Sequence, residues 1–211
     1  MLIGIKSGEI MNFDVVKKNL EKRGFKVSVF DNASEAASYL DAQIDGKTVG
    51  FGGSVTLEQM GLYEKLGEHN AVSWHHRIPE NMTRAEVINR ANASQIYLSS
   101  VNGLAETGEI INIDNTGNRV GTIFYGHEKV YLVVGVNKLA ADYESALWRA
   151  RNIAAPLNAR RLNRKTPCAV NADKCYNCNS PDRICRGLSV LWELPAMSDI
   201  EVVLINENLG Y

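Results

Sequence analysis

Apolar residues recur along the first half of the chain with spacings that alternate between helical and extended patterns. Phe13, Val16 and Leu20 share one face of residues 12–22, a spacing typical of an amphipathic helix. Residues 25–30 then alternate apolar and polar positions, as a half-buried strand does. The repeated helix-to-strand order predicts a parallel sheet covered by helices. The elements predicted in this half are helices over residues 12–22, 34–40 and 56–66 and beyond Thr83, and strands over 25–30, 48–51, 71–74 and 96–101.

The second half begins with extended patterns in direct succession, without a helix between them. Such a succession indicates an antiparallel section within the sheet. Pro156 suits the first turn of a helix, so a second helix is predicted to start there after a longer one ends. The fold class expected is α/β, a mixed sheet with helices on both faces, plus a cysteine-rich C-terminal segment. The elements predicted in this half are strands over residues 109–114, 119–124, 129–136, 188–194 and 200–206, and helices over 140–153 and 156–161.

Composition favours one globular domain over residues 1–211. Apolar residues make up 45% and charged residues 22%, so the chain can bury a core and is not expected to be disordered. The net charge of −1 gives no general attraction to nucleic acid, and no nucleic-acid partner is expected. No apolar run reaches the about 18 residues of a membrane helix, and the N-terminal sequence MLIGIKSGEIMNFD lacks a signal-peptide pattern. A cytoplasmic location without membrane insertion is therefore expected.

A glycine pair follows the strand predicted at residues 48–51 and precedes a predicted helix. Gly52 and Gly53 permit close approach of the backbone to a ligand, and exposed amides at this position favour phosphate or carboxylate. Ser54 and Thr56 add hydroxyl donors. These four residues are candidate substrate-binding residues for a small anion. The alternative is a tight strand-to-helix turn in which Ser54 or Thr56 caps the helix.

A second candidate, NGLAETGEI, begins where the strand predicted at residues 96–101 ends. Ligands of open α/β sheets bind at this edge. Glu106 is the candidate catalytic group, as base, acid or nucleophile, and Thr107 and Gly108 are candidate substrate-binding residues beside it. The alternative makes Glu106 a turn residue or the partner of a helix cap.

All four cysteines lie in one C-terminal stretch, residues 166–187. Cys168, Cys175, Cys178 and Cys185 have the spacing C-x6-C-x2-C-x6-C, and the central pair can place two thiolates on one metal. Four thiolates suit zinc or an iron–sulfur cluster, and the sequence favours the cluster only slightly. The alternatives are disulfides, redox pairing or free buried thiols. We therefore predict a metal site in this segment, with an iron–sulfur cluster as the cofactor and zinc as the alternative.

Basic and imidazole side chains supply further candidates. Six basic residues near the end of the long predicted helix would bind an anionic substrate, a cofactor phosphate or a partner, unless most of them face solvent. His75 and His76 follow the strand predicted at 71–74, so one of them would face the same sheet edge as the glycine pair. A structural or solvent role is the alternative for each histidine, since the chain has no HExxH spacing. The six basic residues are Arg149, Arg151, Arg160, Arg161, Arg164 and Lys165.

Several of these segments together resemble the lactate-utilisation (LUD) domain family. The resemblance rests on FGGSVTLEQMGL, on GLAETGEI with the strands after it, on NIAAPLNARRLNRKTPC and on the tail CYNCNSPDRIC. It covers nearly the whole chain and points to a short, cysteine-bearing branch of the family. The resemblance implies an α/β fold similar to ribose-5-phosphate isomerase and CoA-transferase folds. It also implies participation in the oxidation of lactate to pyruvate alongside iron–sulfur proteins.

Two functions follow from these observations. In the first, the chain is a metal-containing redox enzyme or subunit linked to the use of lactate or another small organic acid, with a redox protein as partner. In the second, it is a non-catalytic anion-binding or assembly protein that a structural zinc site stabilises. An iron–sulfur chromophore would favour the first, and tightly bound colourless zinc the second. By analogy, the fold is also compatible with a homodimer.

Overall fold

A parallel sheet runs through the centre of the protein, and a second, smaller sheet shares its core. The computed structural model describes residues 13–211. Its strands are β1 (Lys26–Phe30), β2 (Thr48–Phe51), β3 (Ala71–Trp74), β4 (Ile96–Ser100), β5 (Gly103–Ala105), β6 (Ile110–Asp114), β7 (Lys129–Gly135), β8 (Leu139–Ala140), β9 (Gly187–Leu191) and β10 (Ile200–Ile205). Its helices are α1 (Phe13–Lys22), α2 (Ala33–Gln43), α3 (Val55–Gln59), α4 (Leu62–Gly67), α5 (Arg84–Asn92), α6 (Asn118–Thr122), α7 (Tyr143–Arg149), α8 (Ala155–Arg161) and α9 (Pro167–Asn171).

The central sheet has six strands in the order β1-β10-β7-β4-β2-β3, and every neighbouring pair is parallel. The second sheet has the order β8-β5-β6-β9, in which β6 pairs antiparallel with both β5 and β9. This arrangement confirms the predicted α/β class. It differs from the expected mixed sheet in one respect, because the antiparallel section forms a sheet of its own while β7 joins the parallel one.

Both faces of the central sheet are buried, as expected for parallel strands that helices cover. In β7, Leu132 packs into the apolar cluster on one face and Val133 into the cluster on the other. Leu204 and Val203 of β10 alternate in the same way. Because both faces need apolar side chains, these two strands are nearly continuous apolar runs in the sequence.

The strand predicted over residues 119–124 is wrong, because most of these residues enter helix α6. The Asp114 carboxylate accepts a hydrogen bond from the Arg119 amide at 2.8 Å. Gly117 adopts a left-handed conformation with a φ of 86° directly before the helix. The glycine turn and the carboxylate acceptor start a helical turn, and they override the extended pattern of the segment.

The helix predicted over residues 56–66 is divided into α3 and α4. Gly61 lies between them with a φ of 62°, a left-handed conformation that interrupts the helix. The Ser54 hydroxyl accepts a hydrogen bond from the Leu57 amide and caps α3. The turn after β2 is thus fixed by a side-chain cap, which the sequence offered as the alternative role of Ser54.

The long helix predicted after residue 140 continues into the helix predicted at Pro156. Helix α7 passes into one π-helical turn, Ala150–Ala154, and from there into α8. Pro156 has no N–H group, so one backbone donor is missing at this point of the helix. Turns of this kind are frequent at functional sites. Residues of the π-helical turn and of α8 line both cavities described below.

Among the helices of residues 13–211, none is long and apolar enough to span a membrane. The predicted lack of a signal peptide rests on the N-terminal sequence, most of which lies outside the described residues. Asn12, the predicted start of the first helix, lies outside them as well.

Candidate functional site

Two neighbouring cavities lie around α8 and the segment that carries the cysteines. The cysteine cavity has a volume of about 230 Å³ and is lined by all four cysteines. The polar cavity has a volume of about 460 Å³ and is lined largely by arginine, histidine and asparagine side chains. Ile113, Ala155 and Ile184 line both cavities and form a shared wall. The ionisable residues that line the polar cavity are His75, His76, Arg84, Asp114, Arg119, Arg161 and Arg164.

The cysteine segment, residues 166–187, is attached to the rest of the fold by polar contacts. The Asn152 side chain, in the π-helical turn, accepts a hydrogen bond from the Cys175 amide at 3.1 Å. The Asp182 carboxylate accepts another from the Lys165 amide at 2.6 Å. These contacts hold both halves of the segment beside α8, so its cysteines meet around one cavity.

Nitrogen donors point at two of the four sulfur atoms, and the Thr166 hydroxyl lies 3.3 Å from a third, the Cys168 Sγ. The Cys175 Sγ accepts a hydrogen bond from the Asn177 amide at 3.4 Å, and an Arg151 guanidinium nitrogen lies 3.8 Å from it. The Arg183 guanidinium donates to the Cys185 Sγ at 3.3 Å. Donors and cations of this kind stabilise thiolates and tune the reduction potential of a thiolate-bound cluster.

The pKa of Arg183 responds to the cysteines around the cavity. Its pKa is raised above the ordinary value, first by the hydrogen bond to Cys185 and further by the charges of Cys178 and Cys175. Three cysteines therefore contribute to the raised pKa of one guanidinium group. All four cysteines are free thiols and half-buried, so they are accessible as ligands.

The four thiols supply a donor set that both zinc and an iron–sulfur cluster take. A zinc ion would hold four sulfurs about 3.8 Å from one another, as follows from a Zn–S distance of about 2.3 Å in a tetrahedron. Within residues 13–211, no group of three or more cysteine, histidine or acidic side chains is positioned to hold one metal ion. The thiols instead surround a cavity of about 230 Å³. Four thiolate donors around such a space fit the donor set of an iron–sulfur cluster.

The polar cavity lies at the carboxyl edge of the central parallel sheet. Gly53 follows β2, His75 and His76 follow β3, and Asn102 follows β4. Open α/β sheets bind ligands at this edge, because neighbouring parallel strands end there together. The strand order therefore brings residues from three separate parts of the sequence to one wall.

Gly53 allows the two histidines to lie directly against the loop after β2. A Cβ atom at this position would lie 3.0 Å from the His75 Nε2 and 3.5 Å from the His76 Nε2. Trp74 fixes the arrangement from behind, because its ring stacks on His76 with the ring centres 4.7 Å apart. The Trp74 Nε1–H also donates to the Gly52 carbonyl at 3.1 Å. A glycine at position 53 is thus a steric requirement of the site.

Both histidines are neutral at neutral pH. The pKa of His75 is lowered to about 4, chiefly by burial and to a smaller extent by the charges of the neighbouring His76 and Arg84. Burial likewise lowers the pKa of His76 to about 4, with Arg161 as the next largest cause. The buried Nδ1 of His75 has no hydrogen-bond partner among the described residues. Each ring therefore has a free nitrogen available to accept a proton or a hydrogen bond.

Two arginines of the polar cavity are paired with carboxylates. The Arg119 Nε lies 3.6 Å from the Asp114 carboxylate, and its guanidinium also donates to the Ile113 carbonyl at 2.6 Å. Arg164 pairs with Asp182 at 3.3 Å. These pairs fix the positions of the two guanidinium groups and neutralise much of their charge.

The other two arginines of this cavity have no carboxylate partner among residues 13–211. Among the described residues, the Arg161 guanidinium donates only to the Asn158 side chain, at 2.9 and 3.1 Å. The Arg84 guanidinium makes no hydrogen bond or ion pair with the described residues, although its charge acts on both histidines. The buried Nε of Arg164 also has no partner there. Positive charge is therefore available for an anionic ligand.

The structure brings only part of the glycine loop to the polar cavity. Gly53 lines it, whereas Gly52 packs behind it, where a Cβ atom would lie 2.8 Å from the Ser99 hydroxyl. Ser54 caps α3, and Thr56 is fully buried, where its hydroxyl accepts a hydrogen bond from Lys138 at 2.7 Å. Neither hydroxyl lines the cavity.

The segment with Glu106 lies apart from both cavities and packs against α1. The Asn19 side chain donates to the Glu106 carbonyl at 2.8 Å, and the Arg23 Nε donates to the Thr107 carbonyl at 2.8 Å. Gly108 has a φ of 103° and leaves no room for a Cβ atom beside Arg23. None of these three residues lines either cavity. The catalytic role of Glu106 stays a prediction from the sequence.

Arg84, Asp114 and Arg119 belong to the site although the sequence does not single them out. Arg84 carries one usable signal, because it is the first residue of α5. The positive end of the helix dipole disfavours a cation at that position. A basic side chain at that position does not stabilise the helix, so its presence favours a role other than helix stability.

The model of the LUD domain family matches residues 13–205. Among solved structures, a DUF162 family protein from Deinococcus radiodurans is similar over 92% of this chain and 95% of that chain. The sequence identity is 10% and the TM-score is 0.52, so the likeness concerns the fold alone. A comparison with curated proteins gives no match.

Proposed function

The chain belongs to the LUD domain family, and from that premise we propose that it is a metal-containing redox enzyme, or a subunit of one, that oxidises lactate or a related small organic acid. The observation that carries the proposal is the shared wall of the two cavities. A site for an anionic ligand and a four-thiol site lie on opposite sides of Ile113, Ala155 and Ile184.

The arginines of the polar cavity bind the carboxylate of the substrate. Arg161 and Arg84 have donors that no carboxylate of residues 13–211 occupies. A planar guanidinium matches a carboxylate with two parallel hydrogen bonds, which fixes the orientation of the acid as well as its position.

His75 and His76 take part in proton transfer. Oxidation of a 2-hydroxy acid to a 2-oxo acid removes two electrons and two protons from the substrate. One neutral imidazole next to the bound acid accepts the hydroxyl proton and the other accepts the proton left when the Cα–H bond breaks, whereas an imidazolium could accept neither. The two electrons pass to the electron acceptor. Their low pKa of about 4 keeps both rings neutral at neutral pH.

Cys168, Cys175, Cys178 and Cys185 hold the metal group. When bound, an iron–sulfur cluster would accept and pass on electrons next to the polar cavity. Arg151 and Arg183 offset the negative charge of the thiolates. A redox protein that receives the electrons is part of the proposal, and so is the cytoplasmic location expected from the sequence.

Turnover tests this proposal directly. The full chain, prepared without oxygen, is mixed with lactate or glycerate and a dye that accepts electrons. We expect dye reduction, and His75→Gln should lower it by about 10²–10⁴-fold. His69→Gln is the matched control, since His69 is bound to Asp41 and Asp45 outside both cavities and should leave turnover unchanged.

The structural alternative predicts a different result. A non-catalytic anion-binding or assembly protein would contain zinc as its only metal and would reduce no dye with any small hydroxy acid. In that case His75→Gln would change ligand affinity alone. This combination would contradict the redox proposal.

A further inference from the structure

We infer that the ligand of the polar cavity carries two anionic groups rather than one. The inference rests on the proposed function only in taking this cavity as the binding site of an organic acid. Lactate, with a single carboxylate, would then be a poor ligand. The natural substrate would be a dicarboxylate or a phosphorylated hydroxy acid.

The charges around the cavity support a doubly charged ligand. Four arginines line it, and the carboxylates of Asp114 and Asp182 neutralise two of them. The histidines add no charge at neutral pH. An excess of two positive charges remains on Arg84 and Arg161, two exposed residues whose side chains line the cavity. A ligand with two anionic groups can pair with both guanidinium groups, whereas a ligand with one pairs with only one of them.

Unused hydrogen-bonding groups support the same conclusion. Arg84 and Arg161 each offer a guanidinium edge that is not taken up by a carboxylate of the described residues. The Nε of Arg164 and the Nδ1 of His75 are buried without a partner there. Buried polar atoms in folded proteins nearly always have partners, so these atoms are expected to meet a ligand or its bound water. One carboxylate forms a bidentate pair with a single guanidinium group, so a second anionic group is needed for the arginine on the other side chain.

The size of the cavity agrees with a ligand longer than lactate. Its volume of about 460 Å³ is twice that of the cysteine cavity. Binding sites for whole small molecules have volumes of about 300–1,000 Å³. A three-carbon monocarboxylate would leave much of the space to water. A second anionic group extends the ligand toward the remaining arginines.

Two pairs of probes test the second anionic group, and the first pair, of nearly equal shape, also separates charge from size. Succinate is compared with succinamate, in which one carboxylate is replaced by a neutral amide. Glycerate is compared with 3-phosphoglycerate, which keeps the hydroxy acid and adds a phosphate. Binding to the full chain is measured by calorimetry at physiological ionic strength, without any redox partner. The two pairs distinguish a second carboxylate from a phosphate as the source of the second charge.

We expect the member with two anionic groups in at least one pair to bind about tenfold or more tightly than its partner, the effect of one additional charge-assisted contact. Arg161→Gln and Arg84→Gln should each remove most of that difference. Arg160→Gln is the matched control, because Arg160 is exposed on the same helix as Arg161 and lines neither cavity. It should leave both affinities unchanged.

Equal affinity within both pairs would overturn the inference, and so would no binding of any probe. Discrimination that survives Arg161→Gln and Arg84→Gln would overturn it as well. Its failure is distinguishable from failure of the proposed function. A chain that oxidises lactate without discriminating the probes contradicts this inference alone. A chain that discriminates them but holds no redox metal contradicts the proposed function alone.

Discussion

Gly53 determines how closely the loop after β2 approaches the histidines of the polar cavity. The Cβ atom of a substituted residue would lie 3.0 Å from the His75 Nε2, closer than side chains normally pack. We expect Gly53→Val to displace the ring and to lower anion affinity by about tenfold, the loss of one charge-assisted contact. Gly121→Val is the control, since nothing lies within 4 Å of a Cβ at that position. Calorimetry with succinate and thermal unfolding separate the two effects. Equal affinity in the Gly53 variant and the control would contradict the account.

Protonation of the two cavity histidines should make folding stability depend on pH. Their pKa of about 4 in the folded chain lies below the unperturbed value of about 6.5. Between these values the unfolded chain binds more protons, so the free energy of unfolding falls as the pH falls from about 6.5 to 4. From pH 7 to pH 5 we expect a loss of about 2 kcal/mol for each histidine. Denaturant titrations at both pH values measure it.

His75→Gln should remove the part of that pH dependence that comes from protonation of His75. His69 gives a control with the opposite sign, because hydrogen bonds to Asp41 and Asp45 raise its pKa. The stability that His69 contributes is present at low pH and is lost as the pH rises through its raised pKa. His69→Gln should therefore steepen the loss of stability at acidic pH. An unchanged slope in His75→Gln would contradict the buried, neutral state of this residue.

At the scale of single residues, the sequence pointed to the sheet edge on which the polar cavity lies, but it singled out only some of the residues that line the cavity. Gly53 and His75 both follow a strand, so the rule for sheet edges selects them. Arg84 and Arg161 are distant in sequence, and only the packing of α5 and α8 around the cavity brings them to the same space. Ser54 fits both a ligand-binding role and a helix cap, and the sequence alone could not decide between them.

At the scale of elements, the cysteine segment has little regular structure beyond the short helix α9. Its fold therefore depends on a few polar contacts and, in our account, on the metal group. We expect Cys178→Ser to lower metal content and to speed proteolysis within residues 166–187. Val170→Ser is the control, because Val170 is 74% exposed in the same segment and does not line the cysteine cavity. Equal metal content and equal cleavage in both variants would contradict a metal role for Cys178.

Among the elements, the buried parallel strands were the most predictable. Strands β7 and β10 are apolar on both faces, and helices and turns with clear end signals separate most of the others. The failures have local causes. Gly117 and the Asp114 carboxylate turned a predicted strand into α6, and Gly61 divided a predicted helix. A separate second sheet could not be predicted, because strand pairing between distant segments leaves no periodic pattern.

At the scale of the whole molecule, the fold places a cationic cavity and a four-thiol cavity against one shared wall. The π-helical turn and α8 contribute residues to both cavities. The parallel order of the central strands accounts for the edge on which the polar cavity lies. The redox role depends on what the cysteine cavity binds.

Metal and acid-labile sulfide analysis of the full chain, purified without oxygen or chelator, tests that claim most directly. We expect iron and acid-labile sulfide in matching amounts, with visible absorption that is lost in Cys178→Ser and retained in Val170→Ser. Zinc as the only metal, or no bound metal at all, would contradict it.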